Sequence, residues 1–465
     1  MNIDILTKHQ EGGNKMKLRK MLALGLASVM TVSLAACGGS AASTDTADST
    51  AEAASAAEAD SAAEADSAAE ADSAAEADSA AEASDGSKEK LTIALRGGTY
   101  AAVVEACLPK FEEENNCEIE YLELEGDDLH SKLALDSVNP EGAYDLAMVG
   151  SSWVAEFLEN EMVANLSEMG YSFDDDVIAA TTRSLMKDDN IYFAPYFGNV
   201  TVMMYNKELV EAAGYKPEDI TSWEDVRAIA EKVHEMGKNG FVTRGGGADP
   251  VLMDFAPVLL ANGGDLVDAE NNPTVDNDTF KTALKMYMEL RDLGQTMEKD
   301  DMVANLEAGN GALATIWPGW YTPTADGNCG YIVSPSKLTK DGPEVNTSVL
   351  GEWEIAIPAN STHKELAYKL LTYLMDPEVQ ASTVELGGVP CRYSALTSEE
   401  ALAAHPEFEV VAGALDTGWS RPVISQWSDF CDILGTEVDN IIQGSDDMDA
   451  GLAQAQSDLE DLMNE

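Results

Sequence analysis

The sequence has few of the residues from which catalytic and metal sites are usually built. Its 465 residues include only six cysteines and five histidines, and both are scattered along the chain. No HExxH, CxxC, Walker A or Gly-x-Ser-x-Gly motif occurs, so zinc hydrolases, P-loop proteins and serine hydrolases lack their usual signatures here. We therefore expect no catalytic residue, no metal and no cofactor.

Positive charge is also scarce. Lys and Arg number 28 against 84 Asp and Glu, which gives a net charge of −56. A chain this acidic repels phosphate backbones and anionic headgroups, so we do not expect it to bind nucleic acid or anionic lipid. Residues 88–465 alone carry 69 acidic and 23 basic residues, so the acidity is not confined to one tail.

Several titratable residues lack a pattern that would assign them chemistry. Five cysteines follow position 100, namely Cys107, Cys117, Cys329, Cys391 and Cys431. A Cys107–Cys117 disulfide, a Cys391–Cys431 disulfide and reduced packing residues all remain open, with at least one thiol unpaired. Carboxylate pairs such as Asp127-Asp128 and Asp300-Asp301 are expected by chance in so acidic a chain, and a solvated face explains them best.

The N-terminus has the features of a secretion signal. A basic cluster at 15–20 precedes an uncharged, mostly apolar stretch from Met21 to Ala35. That stretch is shorter than the roughly 20 residues a membrane span requires, so residues 1–36 are predicted to be a signal peptide. Leu34-Ala35-Ala36-Cys37 resembles the lipobox of bacterial lipoproteins, which implies lipidation of Cys37 and an anchor on the extracellular face of the cell membrane. Met1 and Met16 both remain open as the start.

Residues 37–87 contain 13 acidic residues and no basic ones. Glu-Ala-Asp-Ser-Ala-Ala repeats from Glu58 to Ala81 with a period of six, which matches no helical repeat. Without large apolar side chains the segment cannot form a core, and like charges extend it. We predict a disordered linker that holds a domain away from the membrane.

From Leu91 onward the pattern is that of an α/β protein. Leu91–Leu95, Cys117–Leu124 and Tyr144–Val149 are predicted strands with helices between them, which implies parallel pairing. Further along, Ser222 and Asp225 form the capping box of a predicted helix. The 378 residues from 88 onward exceed the roughly 250–300 at which a single core stops growing, so we expect two α/β lobes.

Tryptophan is placed in an informative way. Trp317, Trp320, Trp353, Trp419 and Trp427 lie beside Gly, Pro, Arg or Ser rather than within apolar helical stripes. Sugars stack their C–H faces on indole rings and bond their hydroxyls to polar side chains. For any one of these rings a core position remains open, but the set predicts that at least two line a pocket.

A series of short motifs occurs in a characteristic order along residues 88–465. They are Tyr144-Asp145-Leu146, Tyr205-Asn206-Lys207-Glu208-Leu209, Thr221-Ser222-Trp223-Glu224-Asp225, Gly263-Gly264-Asp265 with Pro273-Thr274-Val275, Pro318-Gly319-Trp320, Gly387-Gly388-Val389-Pro390-Cys391-Arg392 and Gly418-Trp419-Ser420-Arg421-Pro422. Together they resemble the sugar-binding branch of the bacterial extracellular solute-binding proteins, family 1, which serve ABC importers.

The resemblance implies a two-lobed, type II periplasmic-binding-protein-like fold. Each lobe is expected to be a mixed, mainly parallel sheet flanked by helices, with three hinge crossings near 198–202, 331–336 and 387–392. Lobe one is then 88–199 plus 336–388, and lobe two is 200–335 plus 389–465. The implied activity is binding of a carbohydrate by a monomer that closes around it and delivers it, unchanged, to the permease subunits of the transporter.

The resemblance also implies ligand-binding residues. They are Arg96, Tyr100, Asp127, Ser152, Trp153, Tyr196, Asn199, Asp254, Trp317, Trp320, Trp353, Arg392 and Arg421. Asp127 and Asp254 are expected to accept bonds from hydroxyls, and Trp320 is the first choice as a stacking platform. Arg392 either binds ligand or braces the hinge, and the order of residues in Trp317-Pro318-Gly319-Trp320 leaves open which indole stacks.

Two alternatives remain from the sequence alone. Arg96-Gly97-Gly98-Thr99-Tyr100 resembles the Trp-Gly-Gly-Ala-Tyr loop of polyamine binders with the same fold, although Arg96, Arg392 and Arg421 would repel a cation. A surface glycoside hydrolase also uses tryptophan platforms, but it needs two carboxylates about 5–10 Å apart, which a sequence cannot place.

Overall fold

The computed structural model describes residues 88–245, 247–324 and 326–464. The predicted signal peptide, the lipidation site Cys37 and the acidic linker lie outside the described residues. Within the described part of the chain, no helix is both long enough and apolar enough to cross a membrane.

The described residues contain the following elements in chain order. The strands are β1 (Glu89–Arg96), β2 (Cys117–Leu124), β3 (Leu146–Gly150), β4 (Met186–Lys187), β5 (Asn190–Ile191), β6 (Ala194–Phe197), β7 (Val202–Asn206), β8 (Asn239–Arg244), β9 (Thr296–Met297), β10 (Gly311–Ile316), β11 (Cys329–Val333) and β12 (Trp353–Ala356). The helices are α1 (Thr99–Glu105), α2 (Leu108–Asn115), α3 (Gly126–Ser137), α4 (Val154–Glu159), α5 (Lys207–Ala212), α6 (Trp223–Glu235), α7 (Ala248–Ala261), α8 (Asp278–Asp292), α9 (Lys299–Glu307), α10 (Lys364–Leu374), α11 (Pro377–Thr383), α12 (Tyr393–Thr397), α13 (Glu399–Ala404), α14 (Phe408–Thr417), α15 (Trp427–Ile442) and α16 (Met448–Leu462).

The sheet of lobe one has the strand order β2-β1-β3-β12-β6. β1 lies parallel to β2 and to β3, as the alternation of strands and helices predicts. β12 comes from a distant part of the chain and runs antiparallel to β3 and β6. The residues of β3 are buried throughout, as is typical of a central strand that is covered on both faces.

The sheet of lobe two has the order β11-β7-β10-β8-β9. β8 is parallel to β10 and β9, whereas β7 is antiparallel to β10 and β11. Each sheet is therefore mixed, with two parallel and two antiparallel pairings, where we expected a parallel majority. The reason is that β7 and β12 each follow a crossing between the lobes. They therefore enter their sheets from the hinge end and run opposite to the strands beside them.

Local sequence signals explain where several helices begin. The hydroxyl of Ser222 accepts from the backbone N–H of Asp225 at 3.2 Å, and the carboxylate of Asp225 accepts from the backbone N–H of Ser222 at 3.1 Å. This reciprocal capping satisfies N–H groups that the first helical turn leaves unpaired. The predicted capping box of α6 is confirmed, and the first helical residue, Trp223, is fully buried.

The crossing segments pair with one another in a narrow hinge. The N–H of Thr201 donates to the carbonyl of Val349 at 2.9 Å, and the N–H of Gly351 donates to the carbonyl of Asn199 at 2.9 Å. The third segment joins them where Phe197 bridges to Pro390. Asn199 and Thr201 fall in the range 198–202, and Pro390 falls in the range 387–392.

The second crossing does not lie at the expected position of 331–336. Residues 337–338 still belong to lobe two, because Lys337 accepts from the N–H of Trp223 and Leu338 donates to the carbonyl of Ala261. The hinge pairing begins only at Thr347–Val349. The second part of lobe one therefore begins about 350, because a segment without regular structure remains attached to α6 and α7 before it crosses.

The C-terminal segment divides its contacts. α15 packs against α7 and α16 in lobe two, as expected. α14 contacts β11 and β7 but also the turn at 179–182 of lobe one. Residues 408–417 thus lie between the lobes beside the hinge rather than wholly in lobe two.

The five described cysteines are all buried and carry free thiols. Neither disulfide that the sequence left open is formed. Cys107, for example, donates to the carbonyl of Val103 one turn earlier in its own segment. The thiols therefore act as small packing residues.

Candidate functional site

A cleft of about 660 Å³ lies between the two sheets. Its walls begin at the carboxyl ends of β1, β3, β8 and β10, and its floor comes from the first two crossing segments. In α/β sheets the loops at the carboxyl ends of strands are the usual place for ligands. Ten of the thirteen residues that we expected to bind ligand line this cleft: Arg96, Tyr100, Asp127, Ser152, Trp153, Asn199, Trp317, Trp320, Trp353 and Arg421.

The lobe-one wall is a group of aromatic rings in mutual contact. The ring of Trp353 lies 5.3 Å from that of Trp153, edge to face, and 5.6 Å from that of Tyr100. Such tilted arrangements are the favoured geometry of aromatic pairs. Burial raises the pKa of Tyr100 to about 12, so its phenol stays neutral and can donate. Arg96 completes this wall, with its guanidinium 6.0 Å from the ring of Trp353.

The lobe-two wall has one half-buried indole and more charged side chains than the lobe-one wall. The guanidinium of Arg244, the last residue of β8, lies 5.4 Å from the ring centre of Trp320. Arg244 also lies 3.8 Å from the carboxylate of Asp254, which is 4% exposed. Glu298 and Lys299, at the start of α9, extend this wall toward solvent.

The two tryptophans that the sequence could not separate differ in burial. Trp317 is only 5% exposed and packs into the core of lobe two. A Cβ added at Gly351 would come within 2.6 Å of its ring, so that position needs glycine for the close approach. Trp320 is half-buried and lines the cleft beside Arg244. Of the two, Trp320 presents more indole surface to a ligand.

The floor of the cleft contains polar groups from the hinge. Asn199 is 5% exposed, and among the described residues its side-chain oxygen has no hydrogen-bond partner. Glu352 and Glu354 lie on the same side of one segment, because side chains alternate along extended backbone. Burial raises the pKa of Glu352 to about 8 and that of Glu354 well above its ordinary value, with Arg421 opposing both shifts. Glu352 is therefore mostly a neutral acid at neutral pH.

Three of the expected residues lie away from the cleft. Tyr196 is buried, since alternation along β6 puts it opposite Phe197, whose ring meets that of Tyr100 at 4.6 Å. Arg392 braces the hinge segment, bonding Asp174 at 2.9 Å and the carbonyl of Met375 at 2.7 Å. Arg392 is 3% exposed, and these contacts agree with the bracing alternative.

Asp254 is the third expected residue that does not line the cleft. It lies within α7 behind Arg244, whose backbone N–H donates to its carboxylate at 2.8 Å. A hydroxyl of a ligand in the cleft therefore meets Arg244 rather than this carboxylate.

Several cleft residues were not expected from the sequence. They are Glu125, Arg244, Asp249, Glu298, Lys299, Glu352, Ser428 and Asp432 among others. Arg244 had a usable signal, because Arg-Gly-Gly follows a strand both at 96–98 and at 244–246. For Glu352 the only signal in the sequence was its position beside Trp353.

One group of residues has the composition of a hydrolytic triad but not its geometry. Ser361 donates to the carboxylate of Asp145 at 2.8 Å, and His363 lies 3.1 Å from the same oxygen. In a triad the serine bonds to the histidine, which takes its proton. Here the hydroxyl is held by the carboxylate instead, and the group ties the start of α10 to the sheet.

A cleft between two mixed sheets that are joined by three crossings defines a two-lobed solute-binding protein. The chain belongs to the family of bacterial extracellular solute-binding proteins, whose model matches residues 93–381. The family is one of solute-binding proteins.

Relatives and solved structures support this assignment. The diacetylchitobiose binding protein DasA of Streptomyces coelicolor is 24% identical over 89% of this chain and 90% of its own length. A probable amino-acid ABC transporter periplasmic-binding protein of Sinorhizobium fredii is 23% identical over 66% of this chain and 73% of its own. Maltose-bound MalE3 of T. maritima has the same fold, with a TM-score of 0.72 at 20% identity, covering 80% of this chain and 99% of that one.

Proposed function

We propose that this protein is the carbohydrate receptor of an ABC importer, held at the extracellular face of the cell membrane by a lipid on Cys37. The observation that carries the proposal is the cleft itself, in which Trp153, Trp353 and Trp320 meet a set of paired charges. The name of the relative that matches most of this chain, a diacetylchitobiose binding protein, agrees with a sugar ligand.

The charges of the cleft favour a neutral ligand. Arg96 lies 2.8 Å from Glu125, and Arg421 lies 3.2 Å from Asp249. Each pair offers donors and acceptors side by side without a net charge. A sugar hydroxyl both donates and accepts, so it matches such a pair.

The hinge supports delivery by closure. Paired extended segments connect the lobes at the hinge, and hinges of this kind absorb large changes in backbone angles. Thr99 of lobe one already donates to the carbonyl of Gly319 in lobe two, at 3.4 Å. A ligand that contacts both walls favours the closed form through differential affinity, and the permease then recognises that form.

The test is a titration of the purified protein with maltose, diacetylchitobiose, mannitol, spermidine and a mixture of amino acids. We expect a sugar or polyol to change tryptophan fluorescence and to raise the melting temperature, because it binds only the native state. Binding of spermidine or amino acids without any sugar contradicts the proposal. Cleavage of an added oligosaccharide contradicts it as well.

The anchor has its own test. C37A should release the protein from the membrane fraction of the native host, whereas C431A, which changes a buried thiol of the folded part, should not. Retention of C37A in the membrane fraction would show that Cys37 is not the anchor.

A further inference from the structure

Arg244 and Trp320 form a contact that decides how the lobe-two wall meets a ligand. The guanidinium carbon lies over the indole, 5.4 Å from its centre. This geometry is a cation–π contact, and it is stronger where water is excluded. The side chain of Arg244 is 13% exposed, so the contact is largely shielded. With one indole face covered in this way, a sugar ring has the opposite face or the guanidinium plane itself to stack on.

The guanidinium keeps donors for a ligand. Within the described residues its recorded side-chain hydrogen bond goes from Nη2 to the carbonyl of Pro250, at 3.3 Å. An arginine carries five N–H donors in a planar fork. Several of these donors therefore remain for hydroxyls at the edge of a stacked ring.

Asp254 fixes the orientation of Arg244 from behind. Its carboxylate accepts from the backbone N–H of Arg244 at 2.8 Å and lies 3.8 Å from Nε of the same residue. Burial raises the pKa of Asp254, and the charges of Arg244 and Arg291 oppose the rise. The side chain of Asp254 is 6% exposed, so it acts on the cleft only through its neighbour.

We propose that Arg244 is the specificity-determining residue of the lobe-two wall, which selects a cyclic sugar over an acyclic polyol, and that Asp254 is its positioning residue. The inference depends on the proposed function, since it names the ligand class within that site. A ring that stacks beside the guanidinium presents its hydroxyls to the fork at a fixed distance. An acyclic polyol has no flat C–H face to stack, so it gains less from the arrangement.

The experiment compares affinities for maltose, diacetylchitobiose and mannitol in R244A, R244K and the wild type by calorimetry. We expect R244A to weaken the tightest-binding ring sugar by at least about tenfold, and mannitol by clearly less. R244K keeps the charge but loses the planar fork, so its ratio of ring-sugar to mannitol affinity should also fall. R227A is the matched control, because Arg227 pairs with Glu289 on the surface and should change nothing.

A double-mutant cycle tests the positioning role. D254N should weaken ring-sugar binding in the wild-type background and cause no further loss in the R244A background, because both substitutions remove one interaction. If the affinity losses of D254N and R244A add in the double mutant, the positioning role is wrong, since Asp254 then acts independently of Arg244. If R244A alone unfolds because Asp254 is left buried and unpaired, R244A/D254N and R244K supply the same measurement.

The outcomes separate the inference from the function on which it depends. If the wild type binds a sugar but R244A and R244K weaken every sugar by the same factor, or none, the specificity role is wrong and the proposed function stands. If the wild type binds none of the three ligands, the proposed function fails, and the inference fails with it. Thermal unfolding of each variant shows whether a loss reflects the fold.

Discussion

In lobe one the cleft wall begins at Arg96, the last residue of β1, and in lobe two it begins at Arg244, the last residue of β8. A glycine precedes the next helix in both places, Gly98 with φ of 81° and Gly247 with φ of 124°. Glycine adopts these conformations without strain. Each lobe thus turns from strand to helix in the same way and places an arginine at the opening of the cleft.

The surfaces that follow these turns differ. In lobe one, Tyr100, Trp153 and Trp353 hold one another in place as an aromatic wall. In lobe two, a single indole is held by Arg244, and Arg244 is held by a buried carboxylate. The packed rings of lobe one have a fixed arrangement before a ligand binds. The ion-paired groups of lobe two form directional hydrogen bonds, which depend on where the ligand's hydroxyls lie. We infer that lobe one provides most of the binding energy and lobe two most of the discrimination.

The largest expected effect comes from the centre of the aromatic wall. W353A removes a ring that contacts both Trp153 and Tyr100, and we expect sugar affinity to fall by about 30-fold or more, as for a central hot-spot residue. W320A should cost only about tenfold, because Arg244 keeps its donors. Calorimetry with the best sugar ligand measures both, and W353F, which keeps a ring, is the control. A greater loss in W320A than in W353A would reverse the comparison.

A smaller effect is expected from the buried acidic pair, Glu352 and Glu354. Because the folded-state pKa of Glu352 is raised to about 8, the native protein holds a proton that the unfolded chain releases near its ordinary value of 4.5. The stabilising contribution is complete below that ordinary value and is lost as pH rises toward 8. We therefore expect the free energy of unfolding to be lower at about pH 8.5 than at about pH 5.5.

Substitution of the more deeply buried partner isolates this contribution from the general acidity of the chain. E354Q stays neutral at every pH, so its loss of stability between about pH 5.5 and about pH 8.5 should be smaller than that of the wild type. E218Q changes an exposed carboxylate of lobe two and should leave the wild-type loss unchanged. Chemical denaturation at the two pH values provides the comparison. Equal losses in E354Q and the wild type would mean that Glu354 does not hold a proton in the native state.

The aromatic wall was more predictable from sequence than the ionic one. Trp353 belongs to the set of tryptophans that predicted a pocket, and Trp153 was expected from the family resemblance, directly after a buried strand. Arg244 was missed although it repeats the Arg-Gly-Gly sequence of residues 96–98. Asp254 was expected to contact the ligand directly. The sequence does not show that Arg244, from a neighbouring strand, lies between Asp254 and the cleft.

For the fold as well, local features were predictable from the sequence and long-range ones were not. The strand at Cys117–Leu124 was predicted to the residue, because the alternation of apolar and polar side chains is a local signal. The second crossing was misplaced by more than ten residues, since Lys337 and Leu338 are retained in lobe two by backbone bonds to Trp223, Glu224 and Ala261. Such long-range bonds leave no pattern in the chain.

The smallest effect is expected behind the aromatic wall, at His130. Its ring lies 5.0 Å from that of Trp153, and its Nε2 lies 2.7 Å from the carboxylate of Glu156, so it limits the motion of the indole. H130A should weaken sugar binding by about two- to fivefold through a less ordered Trp153, with little change in melting temperature. H234A, which alters an exposed histidine on α6 that contacts the carbonyl of Leu293 far along the chain, should have no effect on affinity. If H130A binds as tightly as the wild type, Trp353 and Phe157 alone hold Trp153 in place, and the aromatic wall needs no polar support.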